Sequence, residues 1–262
     1  MDRDSPNSFE DVHVIDKDAN ELACEYARKK IKSKVEDPKV AELLLPQDYP
    51  IGTKRLIAET NYYETYNRDN VTLVDVKSSP IEAFTDKGIK TSSLEYDLDV
   101  IICATGFDAM TGSFLKINPI GKNGMSLSEK WKDGAKTTVG MMVNNFPNMF
   151  IMYGPGSSSV FCSLGQQAQQ QGDWIKDLIN YMRDNNIKEM EPSIETEKEW
   201  VDHVNQIANM TLFVKAKSWY MGANIPGKPQ MFMPYIGGAH NYSLKCNEIA
   251  ESNYSGFIKT PH

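Results

Sequence analysis

The longest unbroken apolar stretches of this chain, Val100–Ala104 and Met149–Tyr153, are short, and a glycine turn follows each. Thr105-Gly106 ends the first and Gly154-Pro155-Gly156 the second. A membrane-crossing helix needs about 20 apolar residues, so neither stretch spans a bilayer. Both have the length and bounded ends expected of buried parallel strands. Helical periodicity fills much of the remainder. Asp18-Ala19-Asn20-Glu21 reads as an acidic capping box, and Leu22, Tyr26, Ala27, Ile31 and Val35 recur behind it at helical spacing. Lys39–Leu45 reads as a second short helix stopped by Pro46. Val71–Val76 alternates as a strand does, and Ile81–Thr85 with Ile89–Thr91 predict a hairpin around Asp86-Lys87-Gly88. A long helix is predicted from Leu164 to Met182, with Trp174, Ile175, Leu178, Ile179 and Met182 on one face. Thr196-Glu197-Lys198-Glu199 reads as a capping box for a helix carrying Trp200, Val201, Val204, Ile207 and Ala208. Strands alternating with helices place the chain in the α/β class.

Charge narrows the partners. Against 28 basic residues stand 35 acidic ones, for a net charge of −7. A general nucleic-acid binder needs a basic face, so that class is not expected. Cys24, Cys103, Cys162 and Cys246 form no C-x-x-C pair, and His13, His203, His240 and His262 are scattered. No metal-site spacing is present. The first residues, Met1-Asp2-Arg3-Asp4-Ser5-Pro6, lack the apolar segment of a secretory signal. Reduced thiols in a cytoplasmic protein are the expectation.

Four features could carry chemistry. The Gly154-Pro155-Gly156 turn lies between a predicted strand and a predicted helix, the arrangement that cradles a dinucleotide phosphate. Its G-x-G-x-x-S pattern is a poor dinucleotide fingerprint, and it reads better as a loop offering backbone amides to some ligand. Lys54-Arg55 is a basic pair in an acidic chain, either two solvated charges or an anion site. A lysine suits a single phosphate, and an always-charged arginine suits a place where negative charge develops. Trp219 lies in Ser218–Lys228, a loop bounded by glycine and proline. It is either a core residue or part of a loop that closes over a ligand. Ser157, Ser158 and Ser159 do not make the G-x-S-x-G of a hydrolase nucleophile.

The ordered set of segments is more specific than any one of them. Gly52-Thr53-Lys54-Arg55, Glu59 to Val71, Ala104-Thr105-Gly106-Phe107-Asp108, Phe146–Phe150, Gly154–Ser157, Thr211-Leu212-Phe213 and Ser218–Pro229 resemble the Baeyer–Villiger flavin monooxygenases. The resemblance runs from about residue 9 to about residue 258 and covers only the second half of that family. It implies a partial two-domain Rossmann-like fold binding FAD and NADPH. Residues 1–103 would close the NADPH domain and residues 104–262 the FAD domain. It implies insertion of one oxygen atom from O2 into a ketone to give an ester or lactone. By the same resemblance Lys54 holds the NADPH 2′-phosphate, and Arg55 stabilises the anionic flavin peroxide and the charged adduct. Trp219 contacts NADP on a mobile loop, Leu164 touches the flavin, and Ser159, Val160, Phe161 and Cys162 line the substrate pocket.

The chain departs from the family in two ways. Both G-x-G-x-x-G cradles and the signature between them are absent, so the missing N-terminal half is an implied partner and unpaired sheet edges are expected. The sequence reads as a truncated product, a partial record or one piece of a longer enzyme. Gln169, Gln170 and Gln171 stand where the family usually has a glutamate early in its helix, and Gly165 and Gly172 each weaken that helix by about 1 kcal/mol. Two alternatives stay open, a non-catalytic relic or interaction fragment and a flavin monooxygenase acting on nitrogen or sulfur.

Overall fold

The computed structural model describes residues 14–158 and 160–262. Helix α1 (Lys17–Lys34) starts at Asp16, whose carboxylate accepts from the Ala19 amide and so satisfies one orphan donor of the first turn. The cap therefore precedes the Asp18–Glu21 box that the sequence suggests. Helix α2 (Pro38–Leu44) is capped by Asp37 and has proline in its first turn. Ile31 and Val35 pack with Ala41 and Leu45 into a small separate core. The rest of the α1 stripe does not reach it. Leu22 and Tyr26 are exposed and line an open apolar groove of about 750 Å³ with Ile51, Leu56 and Tyr63.

The predicted hairpin forms as β1 (Ile81–Thr85) and β2 (Gly88–Thr91), and β3 (Glu95–Asp97) extends it into an antiparallel sheet. Three other expected strands do not form. Val71–Val76 and Met149–Tyr153 are irregular, although Ile151 is buried. Asp99–Ala104 is irregular and exposed from end to end, with Val100 at 73% and Ile102 at 85%. A strand needs a neighbour for its ladder, and these segments find none among the described residues.

Helices α3 (Gly112–Ile117) and α4 (Leu127–Lys130) precede a second core of Leu127, Trp131, Ala135, Val143, Phe146 and Ile151. Helix α5 (Leu164–Asp184) runs unbroken through Gly165 and Gly172, because Trp174, Leu178 and Met182 bury its apolar face. Strand β4 (Ile187–Pro192) pairs antiparallel with β5 (Phe257–Pro261) at the end of the described chain. Helix α6 (Ile194–Asn209) is capped by Ser193 through the Thr196 amide, so the Thr196–Glu199 box lies inside the helix rather than ahead of it. Trp200 and Val204 of α6, Tyr242 and Cys246 of α7 (Ala239–Glu251), and Met190 complete the largest core. Among the described residues no helix is long and apolar enough to cross a membrane.

Candidate active site

The basic pair enters by a turn. Gly52 takes a left-handed conformation and Thr53 is fully buried, its hydroxyl donating to the Pro50 carbonyl at 2.5 Å. Lys54 and Arg55 are thereby turned outward. Lys54 Nζ sits 4.0 Å from the centroid of the Tyr49 ring, a cation–π contact. Neither cation is paired with a carboxylate among the described residues. Arg55 instead donates to the Val160 carbonyl, 105 residues along the chain, at 3.3 Å. Its charge also acts on the Tyr220 hydroxyl: burial pushes that phenol above its ordinary value, and the guanidinium opposes the shift.

Arg55 thus gathers several residues that the sequence singles out. Val160 and Trp219 pack on a cluster of Phe213, Tyr220 and Phe232. The Trp219 and Tyr220 ring centroids lie 4.1 Å apart, and Phe161 lies tilted against Tyr220 at 5.2 Å. Trp219 is half-buried, so core packing and access to a ligand are both partly realised. Cys162 follows, its thiol 2.9 Å from the Ser158 carbonyl and pushed up by burial. Leu164 is exposed and its carbonyl accepts from the Tyr153 hydroxyl at 2.6 Å. Ser159 lies outside the described residues. Tyr220 and Tyr153 were not singled out as site residues by sequence; both are aromatic and next to a motif, which is the only signal they give.

The glycine loop does not do what its sequence suggests. The Gly156 amide donates to the Met233 carbonyl at 2.6 Å and the Ser157 amide to Gly154 at 3.1 Å. The Trp200 indole donates to the Gly156 carbonyl at 3.2 Å. Gly156 has φ +83°, and a Cβ there would lie 2.8 Å from the Trp200 nitrogen. Glycine serves close packing here, and these amides are spent within the protein rather than offered to a phosphate. Two glutamines one helical turn apart fasten the loop. Gln167 accepts from the Ser158 hydroxyl at 2.6 Å, and Gln171 from the Tyr153 amide at 2.9 Å. Gln171 also donates to the Tyr242 hydroxyl, which in turn donates to the Val139 carbonyl at 2.6 Å.

The arrangement can therefore hold an anion beside a largely apolar aromatic cluster. The unpaired Lys54 and Arg55 fit a phosphate or a developing negative charge. A dinucleotide pyrophosphate finds no cradle among the described residues.

No family model matches the chain. It is 42% identical over 252 residues to cyclopentanone 1,2-monooxygenase of Comamonas sp., covering 95% of this chain and 46% of the relative. It is 43% identical over 242 residues to a Baeyer–Villiger monooxygenase of Pseudooceanicola batsensis, covering 92% and 44%. A crystal structure of OTEMO in complex with FAD and NADP superposes with a TM-score of 0.89 at 40% identity, covering 95% of this chain and 46% of that one. The chain spans about half the length of the curated relatives it matches.

Proposed function

We propose that this chain supplies the charge-bearing half of an FAD- and NADPH-dependent Baeyer–Villiger monooxygenase that oxygenates a ketone, the family whose C-terminal half it matches. In the net reaction one atom of O2 enters the carbon–carbon bond beside the carbonyl, giving an ester or lactone. The other leaves as water with the electrons of NADPH. Residues 1–103 contribute to the NADPH domain and residues 104–262 to the FAD domain. The separate small core around Ile31 and Val35 supports that division. The four free cysteines fit a cytoplasmic setting.

The observation that carries this reading is Arg55. It is a cation with no carboxylate partner, held at the edge of the Val160–Phe161–Tyr220 cluster. When bound, the flavin and NADPH supply the electrons that activate O2. Arg55 holds a permanent positive charge where negative charge develops during oxygen transfer, and it resists deprotonation. Lys54 offers a compact ammonium to a cofactor phosphate. Trp219 and Tyr220 close one side of the site and exclude water. Val160, Phe161 and Cys162 would line the ketone side, and Leu164 would meet the flavin. The N-terminal half supplies the cradles this chain lacks.

The test joins this chain to the N-terminal half of the cyclopentanone monooxygenase. The chimera should form lactone from a cyclic ketone in the presence of NADPH and O2. Arg55→Ala should lower kcat by roughly 10²–10³-fold, the scale of removing one oxyanion donor. An unchanged rate in the variant, or turnover of an amine or sulfide in place of the ketone, would overturn the assignment.

A further inference from the structure

The loop that carries Trp219 is anchored in two different ways. Its first turn is sewn to the body by backbone: the Met233 amide donates to the Tyr220 carbonyl at 2.9 Å, and the Met231 amide to Met221 at 3.1 Å. Its outer turn bonds mainly to itself, through Ala223 to Ser218, Ile225 to Gly222 and Lys228 to Ile225. Two side chains tie that outer turn to the body. Lys228 Nζ lies 2.5 Å from an Asp108 carboxylate oxygen and 2.9 Å from the Ala109 carbonyl. Asn224 donates to the Phe107 carbonyl at 3.0 Å. The Lys228 side chain is only 9% exposed and that of Asp108 35%, so the pair is largely withdrawn from water.

The lysine stem also bears on the loop. Gly222 has φ +72°, and a Cβ there would approach Lys228 Cδ to 3.3 Å and the Pro229 carbonyl to 3.2 Å. The turn that follows Trp219-Tyr220-Met221 therefore rests on Lys228. On the other side, residues 97–108 are exposed apart from this tie. We propose that Lys228 is a positioning residue for Trp219: it clamps the outer turn onto Asp108 and so fixes the Trp219–Tyr220 pair against Arg55. The effect on a bound cofactor rests on the proposed function; the clamp does not. A pair withdrawn from water matters mainly when broken, because the remaining charge is left without compensation.

Amide hydrogen exchange on the full chain tests this. In Lys228→Met and in Asp108→Asn, amides between Tyr220 and Gly227 should exchange roughly tenfold faster, as local opening does not require global unfolding. The double variant should match Lys228→Met alone, since that substitution already removes the Asp108 tie. Lys228→Arg should exchange like the parent, and α5 should keep its protection throughout. Unchanged loop exchange, additive effects in the double variant, or equal acceleration in α5 would each overturn the proposal. If Lys228→Met does not fold, Asp108→Asn decides by the same criteria. A negative result for Arg55→Ala would leave the clamp untouched, so the two failures are distinguishable.

Discussion

At the scale of single residues, sequence shows which side chains are unusual but not what they meet. Lys54 and Arg55 stand out as a basic pair in an acidic chain, and neither has a carboxylate partner among the described residues. Their neighbours were not legible, because Val160 and Tyr220 come from far along the chain and only folding brings them together. The cysteines make the same point about environment. Cys103 is exposed, whereas burial pushes the Cys246 thiol up to about 12. The thiolate is the reactive form, so at pH 8 only about one Cys246 in 10⁴ is ready to react. Iodoacetamide should label Cys103 within minutes and Cys246 only after unfolding, with Cys162 between them. Peptide mapping of a timed alkylation checks that order, and early labelling of Cys246 would contradict its burial.

At the scale of elements, what was legible was local. Helices α5 and α6 and the β1–β2 hairpin follow from period and turn chemistry within one stretch of chain. The apolar runs at 99–104 and 149–153 carry the composition of strands, but a ladder partner is not a local property, and none is present among the described residues. Two glutamines of α5, Gln169 and Gln171, separate in the same way. Gln169 reaches only the exposed Asp173, whereas the fully buried Gln171 holds the Tyr153 amide and the Tyr242 hydroxyl. Gln171→Leu leaves a buried amide unmet and should cost about 1–3 kcal/mol. Gln169→Leu should stay within about 0.5 kcal/mol. Urea unfolding of the two variants compares them directly, and equal losses would mean the loop does not depend on Gln171.

At the scale of the molecule, the exposed apolar strip is the dominant feature. Val100, Ile102 and Phe107 stand at 73, 85 and 88% exposure in irregular backbone, and Leu56 and Ile57 are likewise uncovered. Surfaces of this kind self-associate unless something covers them. Ile102→Lys should lower the apparent mass of the isolated chain at high concentration, read by light scattering; an unchanged mass would shift the cause to another face. The glycine loop sets a different boundary. Its Gly156 and Ser157 amides are consumed by Met233 and Gly154, so this half has no backbone left there to address a pyrophosphate. Under the proposed function, a mutagenesis library confined to these residues would reshape turnover, phosphate preference and ketone range. It would leave flavin retention nearly where it began, so improved retention would have to be sought in the other half.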